Sequence, residues 1–157
     1  MADGTVIIIG GAEDKVRDRV ILSRFVALAG GEDATIAVVS TASSLGLEAG
    51  ERYRAVFTEL GAKHVRPLHA ITRPQANDET AALAVRDATG IFLTGGNQLR
   101  LSSTIGGTRL ADAIPDGPWL GRLLPCAAAA VAADRDTVFG TQAAEAGQGE
   151  QRDDRHQ

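Results

Sequence analysis

The residues best suited to chemistry in this chain are Gly95-Gly96-Asn97-Gln98, which follow the apolar run Ile91-Phe92-Leu93-Thr94. Glycines let the backbone approach a ligand closely, because they carry no side chain and accept a positive φ. The backbone N–H groups at the start of a following helix attract negative charge. The pattern predicts a binding site at the carboxyl end of a strand. The same residues also fit a simple strand-to-helix turn with Asn97 as its N-cap.

Two other polar groups follow apolar runs in the same way. Glu13, Asp14 and Lys15 come after the first run, where they could line a cleft or lie in a first helical turn and interact with its dipole. Thr41 and Ser43 come after the second run, where pocket lining and hydrogen bonding within a turn explain them equally well. We expect Arg73 and Arg100 to be solvated rather than catalytic.

The elements that must position these residues alternate between strands and helices. Apolar, β-branched runs predict strands at Thr5–Ile9, Thr35–Ser40, His64–Leu68 and Ile91–Thr94. Helices are predicted from about Asp14 to Gly30, around Tyr53–Leu60, at 77–88 with Asn77 as the cap, and at 107–114. This alternation predicts an α/β fold with a doubly wound, mostly parallel sheet and helices on both faces.

Composition narrows the function classes. The chain has 157 residues and a net charge of −4 without a basic run, so we expect no nucleic-acid partner. No apolar stretch is long enough for a membrane span, and no signal peptide is evident, so a cytoplasmic protein is expected. The lone Cys126 excludes an internal disulfide and a cysteine-based metal site. Gly10-Gly11 does not continue as a nucleotide-binding motif, and we predict neither a cofactor nor a metal.

The character of the sequence changes after Ile114. We expect residues 1–114 to form the α/β domain and residues 115–140 to be a divergent segment with a weak helix at Ala127–Ala133. Residues 141–157 contain no large apolar side chain, so a disordered tail is predicted there. With no convincing later strand, the fourth strand would be left partly uncovered.

Several segments together resemble the cyanophycinase family of serine peptidases, which includes aspartyl dipeptidase. They are Ile9-Gly10-Gly11-Ala12-Glu13-Asp14-Lys15, Ser40-Thr41-Ala42-Ser43-Ser44, the pattern Gly46…Tyr53…Phe57…Leu60-Gly61, and Phe92-Leu93-Thr94-Gly95-Gly96-Asn97-Gln98-Leu99-Arg100-Leu101 followed by Gly106-Gly107-Thr108. The resemblance covers about residues 5–114. It implies a fold like that of class I glutamine amidotransferases, with the site at the carboxyl edge of the sheet.

The resemblance also implies an activity and residue roles. The family hydrolyses cyanophycin, a poly-aspartate backbone with arginine branches, to β-aspartyl-arginine dipeptides. By this resemblance, Gly95 and Gly96 lie on the oxyanion side, while Gln98 and Asn97 bind the substrate. The implied partner is therefore cyanophycin or a β-aspartyl dipeptide, and a homo-oligomer is compatible with the sequence.

The catalytic residues of the family have no counterpart that can be aligned. The family nucleophile is a serine in Gly-Thr-Ser-Ala-Gly at a strained strand-to-helix turn, but no serine follows Ser103 in this chain. Cys126 is a poor substitute, because Pro125 restricts the backbone before it and no base is evident. We expect His64, His69 and His156 to be ordinary strand or surface residues. We therefore assign no catalytic residue.

Three interpretations remain open. The chain is a cyanophycinase-like peptidase that is inactive as written, or a non-catalytic α/β module that binds a small anion or dipeptide. The third is a decayed gene product: codons for Gly121-Arg122-Leu123 can be chosen so that a one-base shift of frame reads Thr-Ser-Ala, the middle of the missing turn.

Overall fold

The computed structural model describes residues 5–9, 19–114, 128–132 and 139–140, with strands and helices in alternation. The strands are β1 (Thr5–Ile9), β2 (Thr35–Val39), β3 (His64–Leu68), β4 (Gly90–Leu93), β5 (Ala128–Ala132) and β6 (Phe139–Gly140). The helices are α1 (Arg19–Leu28), α2 (Leu47–Glu59), α3 (Arg73–Ala76), α4 (Glu79–Arg86), α5 (Gln98–Ile105) and α6 (Arg109–Ala113). A short 3-10 turn, Gly31–Asp33, joins α1 to β2.

The strands form a six-stranded sheet in the order β3-β2-β4-β5-β1-β6. The pairs β2–β3, β2–β4 and β1–β6 are parallel, whereas β5 is antiparallel to both β4 and β1. The predicted α/β fold with a mostly parallel sheet is thus confirmed. The strands β3, β2, β4, β1 and β6 therefore all end at the same edge, whereas β5 runs in the opposite direction.

Helices cover both faces of the sheet, as predicted. Along β2 and β4, Ala37, Val39, Ile91 and Leu93 join one core with α4, α5 and α6. Ile36, Val38 and Phe92 point to the opposite face and join a second core with α1 and α2. This alternation follows from the two-residue period of a strand.

The second core is built around four aromatic rings. Phe92 on β4 lies 4.5 Å from Tyr53 and 5.2 Å from Phe57 of α2, and 5.9 Å from Phe25 of α1, measured between ring centroids. All four rings are buried. These contacts hold α1 and α2 against the centre of the sheet.

The Ala-rich segment corrects one prediction. Residues 128–132 were expected in a weak helix but form β5, which pairs with β4 on one side and β1 on the other. Hydrogen bonding along both edges of a central strand outweighs the high intrinsic helix preference of alanine. It also means that β4 is an internal strand with Ile91, Phe92 and Leu93 buried, not the partly uncovered strand that was expected.

A second correction concerns the start of α4. Asp78, not Asn77, is the N-cap, and its side chain accepts a hydrogen bond from the backbone N–H of Ala81. Asn77 instead ends α3, a short helix that the sequence analysis did not predict. Thr72 and Gln75 form a capping box at its start, with Pro74 in the first turn. The spacing of Thr72, Pro74 and Gln75 is a sequence pattern from which this helix could have been predicted.

Candidate functional site

The carboxyl edge of the sheet gathers the polar residues that follow β2, β3 and β4. Ser40 and Thr41 follow β2, His69 follows β3, and Thr94 begins the segment after β4. The backbone N–H of Thr94 donates to the Val39 carbonyl oxygen at 3.0 Å, which places Thr94 beside Ser40. The edge therefore brings together side chains that are up to 54 residues apart in sequence, and the Gly95–Gln98 turn lies on it.

The Gly95–Gln98 turn packs tightly against the loop that joins β2 to α2. Gly96 has φ +148°, and a methyl group there would lie 2.5 Å from the carbonyl carbon of Ala42 and closer still to its oxygen. The backbone N–H of Asn97 donates to the same Ala42 oxygen at 2.8 Å. Only glycine fits this close backbone approach.

Asn97 is the N-cap of α5. Its Oδ1 accepts a hydrogen bond from the backbone N–H of Arg100 at 3.0 Å. The capping role that the sequence analysis left open is therefore observed. A contact between Asn97 and substrate stays a prediction.

Gln98 is the first residue of α5 and is half-buried. The first turn of this helix contains no acidic residue, so nothing there offsets the positive end of the helix dipole. Arg100 adds a positive charge on the same turn, and its Nη1 donates to the Ser43 carbonyl oxygen at 3.4 Å. The surroundings of Gln98 favour a ligand with a partial or full negative charge.

Two buried hydroxyl groups at this edge have no hydrogen-bond partner. They are Thr41 Oγ1 and Thr94 Oγ1, the only buried side-chain polar atoms of this kind in the described part of the chain. An unpaired buried hydroxyl costs about 1–3 kcal/mol, which is unusual away from functional sites. Ser43 differs: its Oγ accepts from the backbone N–H of Leu45, a bond within the turn.

Arg73 has a structural role that sequence reasoning missed. Its Nη1 donates to the carbonyl oxygens of Ser103 at 3.1 Å and Gly106 at 2.8 Å, at the end of α5. The last carbonyl groups of a helix lack partners within it, and a cation there also interacts favourably with the helix dipole. Arg73 and Asn97 thus hold the two ends of α5.

Several predicted residues lie outside the described residues. They are Glu13, Asp14, Lys15, Cys126 and His156. Within residues 5–9 and 19–114, His, Cys, Asp and Glu side chains form no group of three that could hold a metal ion. The helices of the described segments include none that is long and apolar enough to cross a membrane.

Most of this chain, including the residues at this edge of the sheet, matches a known protein family. The model of Peptidase family S51 matches residues 6–124, which is most of the chain. The chain belongs to peptidase family S51. The match extends past Ile114, where the expected resemblance ended, and it includes the whole Gly95–Gln98 turn.

Curated relatives of this S51 chain are cyanophycinases. It is 42% identical over 119 residues to the "Cyanophycinase" of Geminocystis herdmanii, covering 76% of this chain and 44% of the relative. It is 40% identical over 119 residues to that of Synechococcus elongatus, covering 76% of this chain and 37% of the relative. The chain thus spans less than half the length of these relatives.

A solved structure has the same fold as this S51 chain. It is described as a peptidase from an acI-B1 Actinobacterium, with a TM-score of 0.56 and 15% sequence identity. The alignment covers 89% of this chain and 54% of that protein. At this identity the likeness concerns the fold alone.

Proposed function

We propose that this chain carries the substrate and oxyanion side of a cyanophycinase-type cleft at the Gly95–Gln98 turn. We further propose that it binds β-aspartyl-arginine units without hydrolysing them on its own. The observation that carries the proposal is the packing of Gly96 against the Ala42 carbonyl group. It fixes a two-glycine turn at the carboxyl edge of a sheet in a chain of the S51 family.

The electrostatics of the turn support an oxyanion role. Attack on an amide carbonyl builds negative charge on its oxygen, and each positioned N–H donor contributes about 3 kcal/mol to stabilising it. The turn precedes the positive end of α5, whose first turn carries Arg100 and no acid. Gly95 and Gly96 supply the backbone N–H groups on this side.

Gln98 is the proposed contact for the aspartyl part of the substrate. Two hydrogen bonds of the preceding residue, Asn97, fix its position at the start of α5. The Asn97 side chain accepts from the backbone N–H of Arg100, and the Asn97 N–H donates to the Ala42 carbonyl oxygen. An amide side chain can donate to a carbonyl or carboxylate oxygen and accept from a peptide N–H. Both groups are present in a β-aspartyl-arginine unit.

The missing nucleophile supports binding without turnover. The chain contains no Gly-Thr-Ser-Ala-Gly segment and no serine after Ser103. A peptidase that retains its oxyanion site but lacks the nucleophile keeps only a small residue of its activity. A non-catalytic binding module is therefore the second candidate function, and it would bind its ligand at the same Gly95–Gln98 turn.

The first experiment incubates the purified chain with cyanophycin and follows dipeptide release by mass spectrometry. Calorimetry then measures binding of β-aspartyl-arginine, with α-aspartyl-arginine and inorganic phosphate as comparison ligands. We expect no release and selective binding of the β-linked dipeptide. Release of dipeptide would refute the loss of catalysis. Equal binding of all three ligands would favour a general anion site, and no binding would refute the proposed function.

Gln98 variants test the residue assignment. Gln98→Ala should weaken dipeptide binding about tenfold, the effect of losing one hydrogen bond at a partly buried site. Gln98→Glu should weaken it further, because a carboxylate there repels the substrate carboxylate. Ser103→Ala is the matched control, since Ser103 is exposed on the same helix and its Oγ donates to the Arg100 carbonyl oxygen within that helix. Unchanged binding in Gln98→Ala would refute this assignment.

A further inference from the structure

A histidine at the carboxyl end of β3 contacts both ends of the loop that joins β2 to α2. This loop, residues 40–46, begins at the buried Ser40, whose Oγ lies 3.1 Å from His69 Nδ1. It ends at Gly46, which has φ +55° and faces the other side of the ring. A methyl group at Gly46 would lie 3.1 Å from His69 Nε2. The imidazole therefore occupies the space between the two ends of the loop.

The Ser40 hydroxyl can hydrogen-bond His69 in either tautomer of the ring. Ser40 Oγ also lies 3.4 Å from the Leu68 carbonyl oxygen, which can only accept. Both contacts are hydrogen bonds if the hydroxyl donates to Leu68 and His69 Nδ1–H donates to the hydroxyl oxygen. In the other tautomer the hydroxyl donates to Nδ1, so Ser40 and His69 share a hydrogen bond in either case.

The same loop holds the Gly95–Gln98 turn. The Ala42 carbonyl oxygen accepts from the Asn97 N–H at 2.8 Å, and the Ser43 carbonyl oxygen accepts from Arg100 Nη1. Within the loop, the N–H of Ser43 donates to the Ser40 carbonyl oxygen, and the N–H of Gly46 donates to that of Ser43. A displacement of either end of the loop therefore moves the carbonyl groups on which the turn rests.

We propose that His69 is a positioning residue for the Gly95–Gln98 turn. It acts through the 40–46 loop, to which it is fixed by the Ser40 hydrogen bond and by packing on Gly46. Its effect on ligand binding rests on the proposed function, but the contacts that link His69 through the 40–46 loop to the Gly95–Gln98 turn do not. The contacts can be tested in the protein without ligand.

The test compares His69→Ala, His69→Asn and the control His64→Ala by nuclear magnetic resonance of the full chain. His64 is an exposed histidine at the other end of β3. We expect His69→Ala to shift the amide signals of Gly96 and Asn97 and to speed exchange of the Asn97 N–H about tenfold. Asn places an N–H near the position of Nδ1, so His69→Asn should largely keep the amide signals and the exchange rate of the unaltered chain. His64→Ala should change neither the amide signals nor the exchange rate.

Unaltered Gly96 and Asn97 signals in folded His69→Ala would overturn the proposal, and so would an effect of equal size in His64→Ala. If His69→Ala does not fold, Ser40→Ala removes the same hydrogen bond and must produce the same shifts. Dipeptide binding to His69→Ala should weaken about tenfold. If the unaltered chain binds no dipeptide, the proposed function fails, while the amide signals still decide the role of His69.

Discussion

Gly96→Ala is the sharpest test of the packing at the candidate site. A methyl group at Gly96 would lie 2.5 Å from the Ala42 carbonyl carbon and 2.9 Å from the Ser43 nitrogen, where ordinary contacts are 3.4–4 Å. Both neighbours are backbone atoms, so no side chain can rotate away. The turn and the 40–46 loop would have to separate by about 1 Å, which is typical of costly overpacking.

The expected cost is the sum of three effects. Holding alanine at a φ of +148° costs about 1–3 kcal/mol. Relieving the overlap costs about 1–3 kcal/mol more. Stretching the Asn97 N–H bond to Ala42 loses about 1 kcal/mol. We expect the free energy of unfolding to fall by about 3–7 kcal/mol, a large part of the 5–15 kcal/mol of a typical domain.

The assay is urea denaturation of Gly96→Ala alongside Gly61→Ala. Gly61 has φ +103° at the end of α2, but a methyl group there meets nothing within 4 Å. The control therefore carries the backbone strain without the overlap, and Gly96→Ala should be at least about 2 kcal/mol less stable than it. At 2–4 °C per kcal/mol, the midpoint of thermal unfolding should differ by roughly 4–8 °C. Equal stability of the two variants would refute the close approach of Gly96 to Ala42.

Two further variants test how the ends of α5 are held. Arg73→Ala should lower the free energy of unfolding by about 1–3 kcal/mol, because two charge-assisted bonds to the end of α5 are lost. Arg86→Ala, which removes only an exposed ion pair with Glu79, should cost less than about 1 kcal/mol in the same urea titration; a similar cost for both would contradict the capping role. Asn97→Ala should cost about 1 kcal/mol, whereas Asn97→Asp keeps the cap and adds a charge that suits the helix dipole. Asn97→Asp should therefore unfold no earlier than the unaltered chain while binding β-aspartyl-arginine more weakly, and loss of stability in this variant would count against the cap.

Much of the fold was predictable because its signals are local. The runs at β2, β3 and β4 were placed within one residue of their observed ends, since buried strands contain unbroken apolar, β-branched residues. The α2 helix followed from the spacing of Tyr53, Phe57 and Leu60. The start of α4 was misplaced by one residue because Asn77 and Asp78 are both good caps, and the contact of Asn77 with Arg109 comes from a distant segment.

Much less of the candidate site was predictable. The sequence identified Gly95, Gly96 and Gln98 as candidates, because two glycines and a helix start after a buried strand form a local pattern. It could not show what Gly96 packs against, since Ala42 is 54 residues away. His69 was expected to be ordinary for the same reason: its contacts with Ser40 and Gly46 require β2 and β3 to be neighbours.

The sequence by itself therefore determined the alternation of strands and helices, the α/β class and the glycine turn after β4. Propensity, periodicity and turn chemistry act over a few residues and can be read along the chain. Only the tertiary structure placed β5 between β4 and β1 and put Arg73 at the end of α5. It also pressed the Gly96 turn onto the Ala42 carbonyl group. These features depend on which strands pair, and pairing is decided by the free energy of the whole packed sheet, which no local pattern contains.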